Sequence, residues 1–409
     1  MKLFLVRSFL FSAAVYCFIA ASSINTNSSH FGDNNSVPPP PPIIKYVTPF
    51  GTGNHSGSGW TNAYSFNDMK GKLVSNTTYY LVDSTFLVDS LVITNLHHIS
   101  FIGKGRDKTI LEGVDVSQAD QVIYWSKKCF DLVNADNLVI KDLQIRRFRR
   151  FGLKAGSTSS YFLRHNLYLD SCGWTAEIGE VLLFPSAVKL FGDNGHLGQT
   201  QIMESGWDGM QVAGYNVLFD SSTIYWTGKD IPAADHQGDG IQVFKNPDIS
   251  YTVNNVMIWK SGRLIVKNCT INTVEQKKSG IEAGYIAPNV EKPLVQVYDS
   301  YIAGGKGIGI KQSNDLISGD FYTDIQRCTI VNLVFDRWPL RIENYDSGTP
   351  GKIKDNLCLC PSNYPQDCPA GECNTLLNSV DYVNNQWKIG DVLQAEFCSE
   401  EISDCTTED

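Results

Sequence analysis

Asp208-Gly209-Met210-Gln211-Val212 returns almost unchanged as Asp239-Gly240-Ile241-Gln242-Val243, 31 positions further along the chain. In each copy apolar residues alternate with other residues, which is the period-2 pattern of a β-strand. If 31 residues make one full coil of the chain, the two strands stack about 4.8 Å apart. Asp208 and Asp239 would then lie close together, so the repeat predicts both a coiled fold and a candidate site.

Further copies of this strand support a repetitive all-β fold. Each has a small residue or proline before a short strand with a polar or small centre, and the copies begin 22 to 40 residues apart, at Gly152, Ala187, Gly209, Gly240, Gly280, Gly307 and Pro339. A second strand-like phrase at 138–145 returns at 264–271, 297–302 and 325–330. Repeats of this length are typical of solenoids, and the strand pattern predicts a stacked parallel coil. A β-sandwich is the alternative, which the scarcity of Asn-Gly and Asp-Gly hairpin turns disfavours.

The repeats have corners where the chain turns between strands. Asn268 and Asp142 occupy one equivalent position, and Cys269 and Cys328 occupy another. We expect both pairs at stacked corners that turn inward.

The two ends of the chain differ in composition from the repeats. Residues 1–22 have two basic residues before an apolar run and a small-residue end, which indicates a cleaved signal peptide rather than a retained anchor. Residues 23–44 are polar and end in the proline run 38–42, which is typical of an extended linker. We therefore predict a β-helix domain over 45–345, with a short helix within 62–73, and a cysteine-rich tail over 346–409.

The net charge of the mature chain and its expected export argue against some partners. Without Lys2 and Arg7 of the signal, 32 basic residues face 43 acidic ones, so nucleic acid is not an expected partner. The cluster 146–150 is locally basic, and could meet an anionic polymer or be a solvated loop. We expect a secreted monomer that has no membrane segment after signal cleavage.

Cysteines and sequons are consistent with export. Ten cysteines remain after Cys17 leaves, and six of them lie in the tail, which predicts disulfides there. A zinc site is the alternative, although the tail has no CxxC pair and no nearby histidine. Five Asn-x-Ser/Thr sequons would carry glycans in a host that glycosylates exported proteins.

At two places the chain resembles a known group. The stretch 46–63, with Gly51-Thr52-Gly53 and Gly57-Ser58-Gly59-Trp60, and the stretch 101–113 are similar to the pectate-lyase-like superfamily. The resemblance, over roughly 45–345, implies a right-handed parallel β-helix with an N-terminal cap helix, and the disulfide-rich tail would cover its last coil. This fold hosts lyases, hydrolases, esterases and adhesins, so activity must be argued from the site.

The centres of the repeated strands form a predicted outward ladder. Its members are Lys154, Lys189, Gln211, Gln242, Glu282, Gly309 and Arg341. Most have long hydrogen-bonding side chains, as a polysaccharide-binding groove requires, although outward residues of any soluble solenoid are polar. Trp207 and Trp226 lie beside the ladder in sequence and could stack on sugars or pack in the core.

Asp208 and Asp239 need compensation if they lie about 5 Å apart, since two carboxylates repel by roughly 3 kcal/mol at an effective dielectric near 20. One could keep its proton, a cation such as Ca²⁺ could bridge them together with Asp235, or both could accept backbone hydrogen bonds. His236 and Glu282 are the further candidates for acid or base chemistry.

Polygalacturonase-like hydrolases of this superfamily permit a residue-by-residue comparison. Trp207-Asp208-Gly209 resembles their Asn-Thr-Asp-Gly, and Gly238-Asp239 stands at their Asp-Asp pair, with glycine in place of the general acid. Ser279-Gly280 stands at their Gly-His-Gly, and Arg341-Ile342-Glu343 at their Arg-Ile-Lys. Loss of the acid disfavours hydrolysis unless His236 or Glu282 replaces it.

A lyase needs only a cation for the substrate carboxylate and a base for the C5 proton. Superfamily lyases use Ca²⁺ or a cationic side chain for the first task and Lys or Arg for the second. Here the base candidates are Lys189, Lys229, Lys306, His236 and Arg341. The sequence therefore predicts a secreted polysaccharide lyase acting on an acidic glycan, with a glycoside hydrolase or a non-catalytic carbohydrate-binding protein as alternatives.

Overall fold

The computed structural model describes residues 41–114, 126, 128–173, 185–225, 227, 238–253, 255–273, 279–284, 291, 294–304, 307–311, 323–332, 340–343, 351–360, 380–383, 386–389 and 392–396. The chain divides into two compact units, Met1–Pro41 and Pro42–Asp409. Only Pro41 of the first unit is described, so the fold below is that of the second.

The described residues form short strands, one 3₁₀ turn at Trp60–Asn62 and one helix. The strands of the first half are β1 (Ile43–Thr48), β2 (Tyr64–Ser65), β3 (Thr77–Leu81), β4 (Ser84–Val88), β5 (Leu91–Thr94), β6 (Ile99–Ile102), β7 (Thr109–Gly113), β8 (Lys128–Val133), β9 (Asp136–Phe148), β10 (Phe151–Ala155), β11 (Ser160–Cys172), β12 (Ser186–Leu190), β13 (Asp193–Gly198), β14 (Gln201–Met203), β15 (Asp208–Val212), β16 (Val217–Asp220) and β17 (Thr223–Tyr225). Those of the second half are β18 (Ile241–Val243), β19 (Lys245–Val253), β20 (Val256–Ser261), β21 (Arg263–Lys267), β22 (Thr270–Asn272), β23 (Ile281–Ala283), β24 (Leu294–Tyr298), β25 (Tyr301–Gly304), β26 (Ile308–Lys311), β27 (Asp324–Gln326), β28 (Thr329–Asn332), β29 (Leu340–Glu343), β30 (Gly351–Lys354), β31 (Leu357–Cys360), β32 (Val380–Val383), β33 (Gln386–Ile389) and β34 (Val392–Glu396).

The strands stack as a parallel β-helix. One sheet of nine described strands runs in the order β5, β8, β10, β12, β15, β18, β23, β26 and β29, so its neighbours in space are successive coils of the chain. The remaining parallel strands belong to a second, longer sheet, in which β16, for example, pairs in parallel with β13 and β21. Alternate side chains point inward and form one continuous apolar core, which runs from Val47 to Cys358. This architecture confirms the predicted parallel β-helix, while its right-handed sense stays a prediction.

The register of the nine-stranded sheet confirms the stacking expected from the repeats. Met210 pairs with Ile241, and Gln211 with Gln242, so the two Asp-Gly strands are neighbours. Equivalent pairings join all seven copies of the phrase, from β10 to β29. One full coil therefore returns each central residue to the same column.

A two-residue bend recurs in the second sheet. Its first residue has a positive φ, between 49° and 59°, at Asp142, Asn166, Gln199, Ser221, Asn268, Asp299, Arg327 and Asp355. This conformation is easiest for Asn and Asp among residues with a side chain. Asn268 is exposed, so the expectation that it turns inward is wrong, whereas Asp142 is half-buried.

The second residue of each of these bends turns inward, as expected for Cys269 and Cys328. These two alternate with Ser300 and Asn356, and all four are buried. The Cys269 amide donates to Ser300 Oγ (3.0 Å), and the Cys328 amide donates to Asn356 Oδ1 (2.9 Å). Polar side chains of one coil thus satisfy buried amides of the coil before it.

The N-terminal part departs from expectation in its details. The described fold begins at Ile43 with β1, two residues before the predicted domain start, and β1 pairs with β3. Helix α1 (Phe66–Lys70) lies inside the predicted 62–73 but is only five residues long. Its N-cap Ser65 accepts the Asp68 amide, and Phe66 and Met69 are buried. Its capping of the first coil stays a prediction.

The C-terminal part corrects two expectations. Parallel pairing continues through β30–β32 and β31–β33, so the coil extends beyond the predicted boundary at residue 345. Cys129, Cys172, Cys269 and Cys328 are free, buried thiols, so the disulfides expected from the even cysteine count are wrong for these four, and Cys358 is buried as well. Their side chains fill the core instead. The remaining tail cysteines, except for the backbone of Cys360 in β31, lie outside the described residues.

Among the described residues, no helix has the length and apolar character needed to cross a membrane.

Candidate functional site

The predicted ladder is one column on the outer side of the nine-stranded sheet. Its register joins Lys154, Lys189, Gln211, Gln242, Glu282, Gly309 and Arg341 in that order. Asp131 of β8 precedes Lys154 in the same column and was not predicted. Nζ of Lys128 lies 2.5 Å from Oδ2 of Asp131.

Asp208 and Asp239 belong to a second column, at the corner before the ladder strands. Ser186 pairs in register with Asp208, and the coil of Asp239 follows. Oδ1 of Asp208 accepts the backbone amide of Asp239 (2.8 Å), and Oδ1 of Asp239 accepts the backbone amide of Ser279 (2.8 Å). Each carboxylate therefore binds the next coil. We call this chain of contacts the carboxylate relay.

Asp208 has a second donor within its own coil. Gln211 Nε2 donates to its Oδ2 at 2.7 Å, and Ser205 Oγ donates to its backbone carbonyl at 2.6 Å. Asp208 is 1 % exposed and Asp239 is 3 % exposed. Of the three predicted arrangements of the pair, the structure has hydrogen bonding to backbone amides, which compensates buried carboxylates.

Gly238 occupies the place where the hydrolase pattern has its general acid. A Cβ built on Gly238 would lie 2.0 Å from the carbonyl oxygen of Trp207 and 2.6 Å from the backbone nitrogen of Asp208. Because these obstacles are backbone atoms, a side chain cannot enter without moving the neighbouring coil. The backbone packing at this position therefore excludes an acidic side chain.

Lys189 lies beside the carboxylate relay, paired in register with Gln211. It is 8 % exposed although it stands in the outward column. Burial lowers the pKa of Lys189 to about 8, against the opposing effect of the Asp208 charge, and the positive charges of Lys154 and Arg150 lower this pKa further. A lysine with such a pKa is partly neutral near pH 8 and can accept a proton.

The other predicted residues lie in or near the same columns. Glu282 is half-buried, and its Oε2 accepts the hydroxyl of Ser279 at 3.1 Å, which joins the relay to the ladder. Gln242 and Trp207 are also half-buried. Arg341 is in β29 and pairs in register with Gly309.

His236, Asp235, Trp226, Lys229 and Lys306 lie outside the described residues. The acid, base, metal and stacking roles predicted for them stay predictions.

The predicted calcium site has only two described ligands, Asp208 and Asp239. Three of their four carboxylate oxygens already accept protein hydrogen bonds, and both residues are buried. Calcium prefers six to eight oxygen ligands. Within the part of the chain that the structure describes, no group of three or more His, Cys, Asp or Glu could hold a metal ion. These two carboxylates are thus poor calcium ligands, and no chemical step below passes through a metal.

The comparisons with known proteins show the fold. No protein-family model and no curated protein matches the sequence. The catalytic domain of a GH87 α-1,3-glucanase, solved with tetrasaccharides, is similar over 86% of this chain and 56% of its own chain, with 14% identity and a TM-score of 0.50. A pectate lyase, Pel9A (12% identity, TM-score 0.48, 86% of this chain and 77% of that one), and a rhamnogalacturonan lyase (14%, 0.48, 84% and 87%) are also similar. At these identities the likeness extends to the parallel β-helix alone.

Proposed function

We propose that this chain is a secreted polysaccharide lyase that cleaves an acidic glycan by β-elimination. The observation that carries the proposal is Lys189, a buried lysine with a pKa of about 8 in a column of hydrogen-bonding side chains. Such a lysine supplies the base that elimination requires, in a place where a sugar chain can lie along the ladder.

In this mechanism, neutral Lys189 removes the C5 proton of a uronate. The electron pair of the C5–H bond forms the C4–C5 double bond, the C4–O bond breaks, and the leaving oxygen takes a proton from water. Lys154, one coil away in the same column, faces the substrate carboxylate and stabilises the charge that develops on it. The half-buried Gln242 binds a hydroxyl group of a neighbouring sugar, whereas Gln211 is 2 % exposed and supports Asp208.

Hydrolysis is less well supported by the same residues. A glycoside hydrolase uses one carboxyl group to protonate the leaving oxygen and a second one to attack or to activate water. Here the acid position is Gly238, which has no room for a side chain, and Asp208 is occupied by two donors.

A non-catalytic carbohydrate-binding protein is the second candidate. The carboxylate relay favours it, because Asp208 and Asp239 then serve the stack and the ladder alone contacts the glycan.

One screen separates these functions. Mature protein is incubated with pectate, alginate, glucuronan and glycosaminoglycans, with and without chelator, and both ultraviolet absorbance of 4,5-unsaturated uronates and new reducing ends are measured. The lyase produces both signals from one acidic glycan. New reducing ends without absorbance would show a hydrolase, and retained binding with neither signal would show a binding protein.

A further inference from the structure

An antiparallel hairpin interrupts the parallel coil directly after ladder strand β18. It consists of β19 and β20, with Tyr251 opposite Ile258 and Thr252 opposite Met257. This hairpin was not predicted from the sequence. An added hairpin at this point lies at the end of the strand that presents Gln242.

Asn246, near the start of the hairpin, fastens it to two earlier coils. Its side chain is buried, and its Nδ2 donates to the carbonyl oxygens of Phe191 (3.0 Å) and Ala213 (3.3 Å). Phe191 and Ala213 each lie two residues after a ladder residue, Lys189 and Gln211. The hairpin therefore begins along the carboxyl ends of the ladder strands.

Ser157 extends this attachment to a third coil. Its hydroxyl lies 3.1 Å from Asn246 Oδ1 and also contacts the Asp248 carboxylate. Ser157 follows Lys154 by three residues. The base of the hairpin thus crosses the edge of β10, β12 and β15, the coils that carry the proposed base and its cationic neighbour.

The end of β20 is fixed at the same base of the hairpin, around Tyr215. The Tyr215 hydroxyl donates to Glu291, which also accepts the Ser261 amide (3.3 Å). The Tyr215 ring has Arg263 3.9 Å and Lys260 4.4 Å from its centroid. These contacts hold the two cations on a rigid support.

Three half-buried cations, Lys245, Lys260 and Arg263, thereby line this region, which we call the cationic rim. Lys245 lies 4.4 Å from the centroid of the Trp259 ring. Neither Lys245 nor Lys260 is paired with a carboxylate among the described residues. The rim stands out because the whole chain has a net charge of −9.

We propose that the cationic rim is a second binding surface, which holds an anionic stretch of the same glycan outside the ladder. The inference rests on the proposed function, since the rim borders the ladder strands and its charge complements an acidic polysaccharide. Aromatic rings pre-position the cations, so less side-chain entropy is lost on binding.

The test compares Lys245→Gln/Lys260→Gln with Lys267→Gln/Lys354→Gln, which removes two exposed lysines from the longer sheet. Binding to the acidic polymers of the screen is measured by affinity electrophoresis at several salt concentrations. We expect the rim variant to bind about fivefold more weakly, with a shallower salt dependence, and the control variant to bind as wild type does. Asn246→Ala, which releases the hairpin, should weaken polymer binding in the same direction.

The outcomes distinguish a wrong binding role for the cationic rim from a wrong lyase proposal. If wild type binds a polymer but forms no unsaturated product, the lyase proposal fails and the binding comparison still tests the rim. Equal binding by the rim variant and wild type, or an equal loss of binding in the control variant, would overturn the proposal that the cationic rim binds the glycan. For an active enzyme, the rim variant should have a raised KM for the polymer and an unchanged kcat for the shortest oligomer cleaved.

Discussion

The backbone amide of Asp239 donates to Oδ1 of Asp208 at 2.8 Å, across 31 residues of chain. Asp239 repeats the arrangement with Ser279 on the next coil. A pair of acidic residues that looks repulsive in the sequence is thus part of a hydrogen-bonded column. The carboxylate of one coil satisfies an amide that would otherwise be buried without a partner.

Removing the Asp208 carboxylate should destabilise the fold. In Asp208→Ala, the Asp239 amide and the Gln211 side chain both lose a buried acceptor, which should lower the free energy of unfolding by about 2–4 kcal/mol. Asp208→Asn keeps one acceptor oxygen and should lose less. Urea denaturation of both variants measures this. A loss below about 0.5 kcal/mol in Asp208→Ala, the size of an ordinary surface effect, would contradict the relay.

Asp239→Asn separates structure from chemistry. Asparagine retains an oxygen that can accept the Ser279 amide, and it removes the repulsion with Asp208, so thermal stability should be unchanged or improved. Activity should be largely retained, because the proposed elimination gives the buried Asp239 carboxylate no chemical step. Thermal melts and product formation are the readouts, and loss of product formation at unchanged stability would contradict a purely structural role of Asp239.

Lys189→Met should stabilise the protein in a pH-dependent way. The folded pKa of Lys189, about 8, lies below the ordinary value of 10.5. The unfolded chain therefore holds this proton more tightly, and the cost of burying the charge is full below pH 8 and relieved as pH rises toward 10.5. At pH 7 the variant should gain at most roughly 3 kcal/mol. Denaturation at pH 7 and pH 10 tests this, and an equal difference at both values would contradict the lowered pKa.

Arg164 is an unusual charge in the core. It is fully buried between Ile140 and Leu197 of neighbouring coils, and only its Nη1 is bonded, to the carbonyls of Leu138 and Leu163 at 3.1 Å each. Burial lowers the pKa of Arg164 to about 9. Arg164→Met should be neutral or stabilising by about 1–4 kcal/mol, because the desolvation cost disappears. Urea denaturation checks this, and a loss above about 2 kcal/mol, typical of a broken polar network, would contradict it.

Local patterning predicted most of the fold. The alternation around Met210 and Ile241 and the spacing of their copies sufficed for the stack, since a coil buries the same face at each turn. The hairpin was missed, although Asn254-Asn255 between two alternating runs was a usable turn signal, and Asn255 has a φ of 65°. The buried position of Cys358 was not predicted, because composition does not reveal which face of a strand a cysteine occupies.

The site was less predictable for two physical reasons. The backbone amides that donate to Asp208 and Asp239 come from the coil that follows each of them, so a local motif cannot show these contacts, and only the Gln211 donor to Asp208 is local. The pKa of Lys189 depends on burial, and an outward ladder position predicts exposure instead. The sequence therefore predicted which residues share each column, whereas the burial and the hydrogen bonds of the charged residues are seen only in the structure.

The most direct test of the account is the initial rate of 4,5-unsaturated uronate formation against pH, for wild type, Lys189→Gln and Lys267→Gln. The wild-type rate should rise with pH through an apparent pKa close to 8, and Lys267→Gln should follow it. Lys189→Gln should bind the polymer and form no unsaturated product. A Lys189→Gln variant that retains the wild-type rate would contradict the assignment of Lys189 as the base.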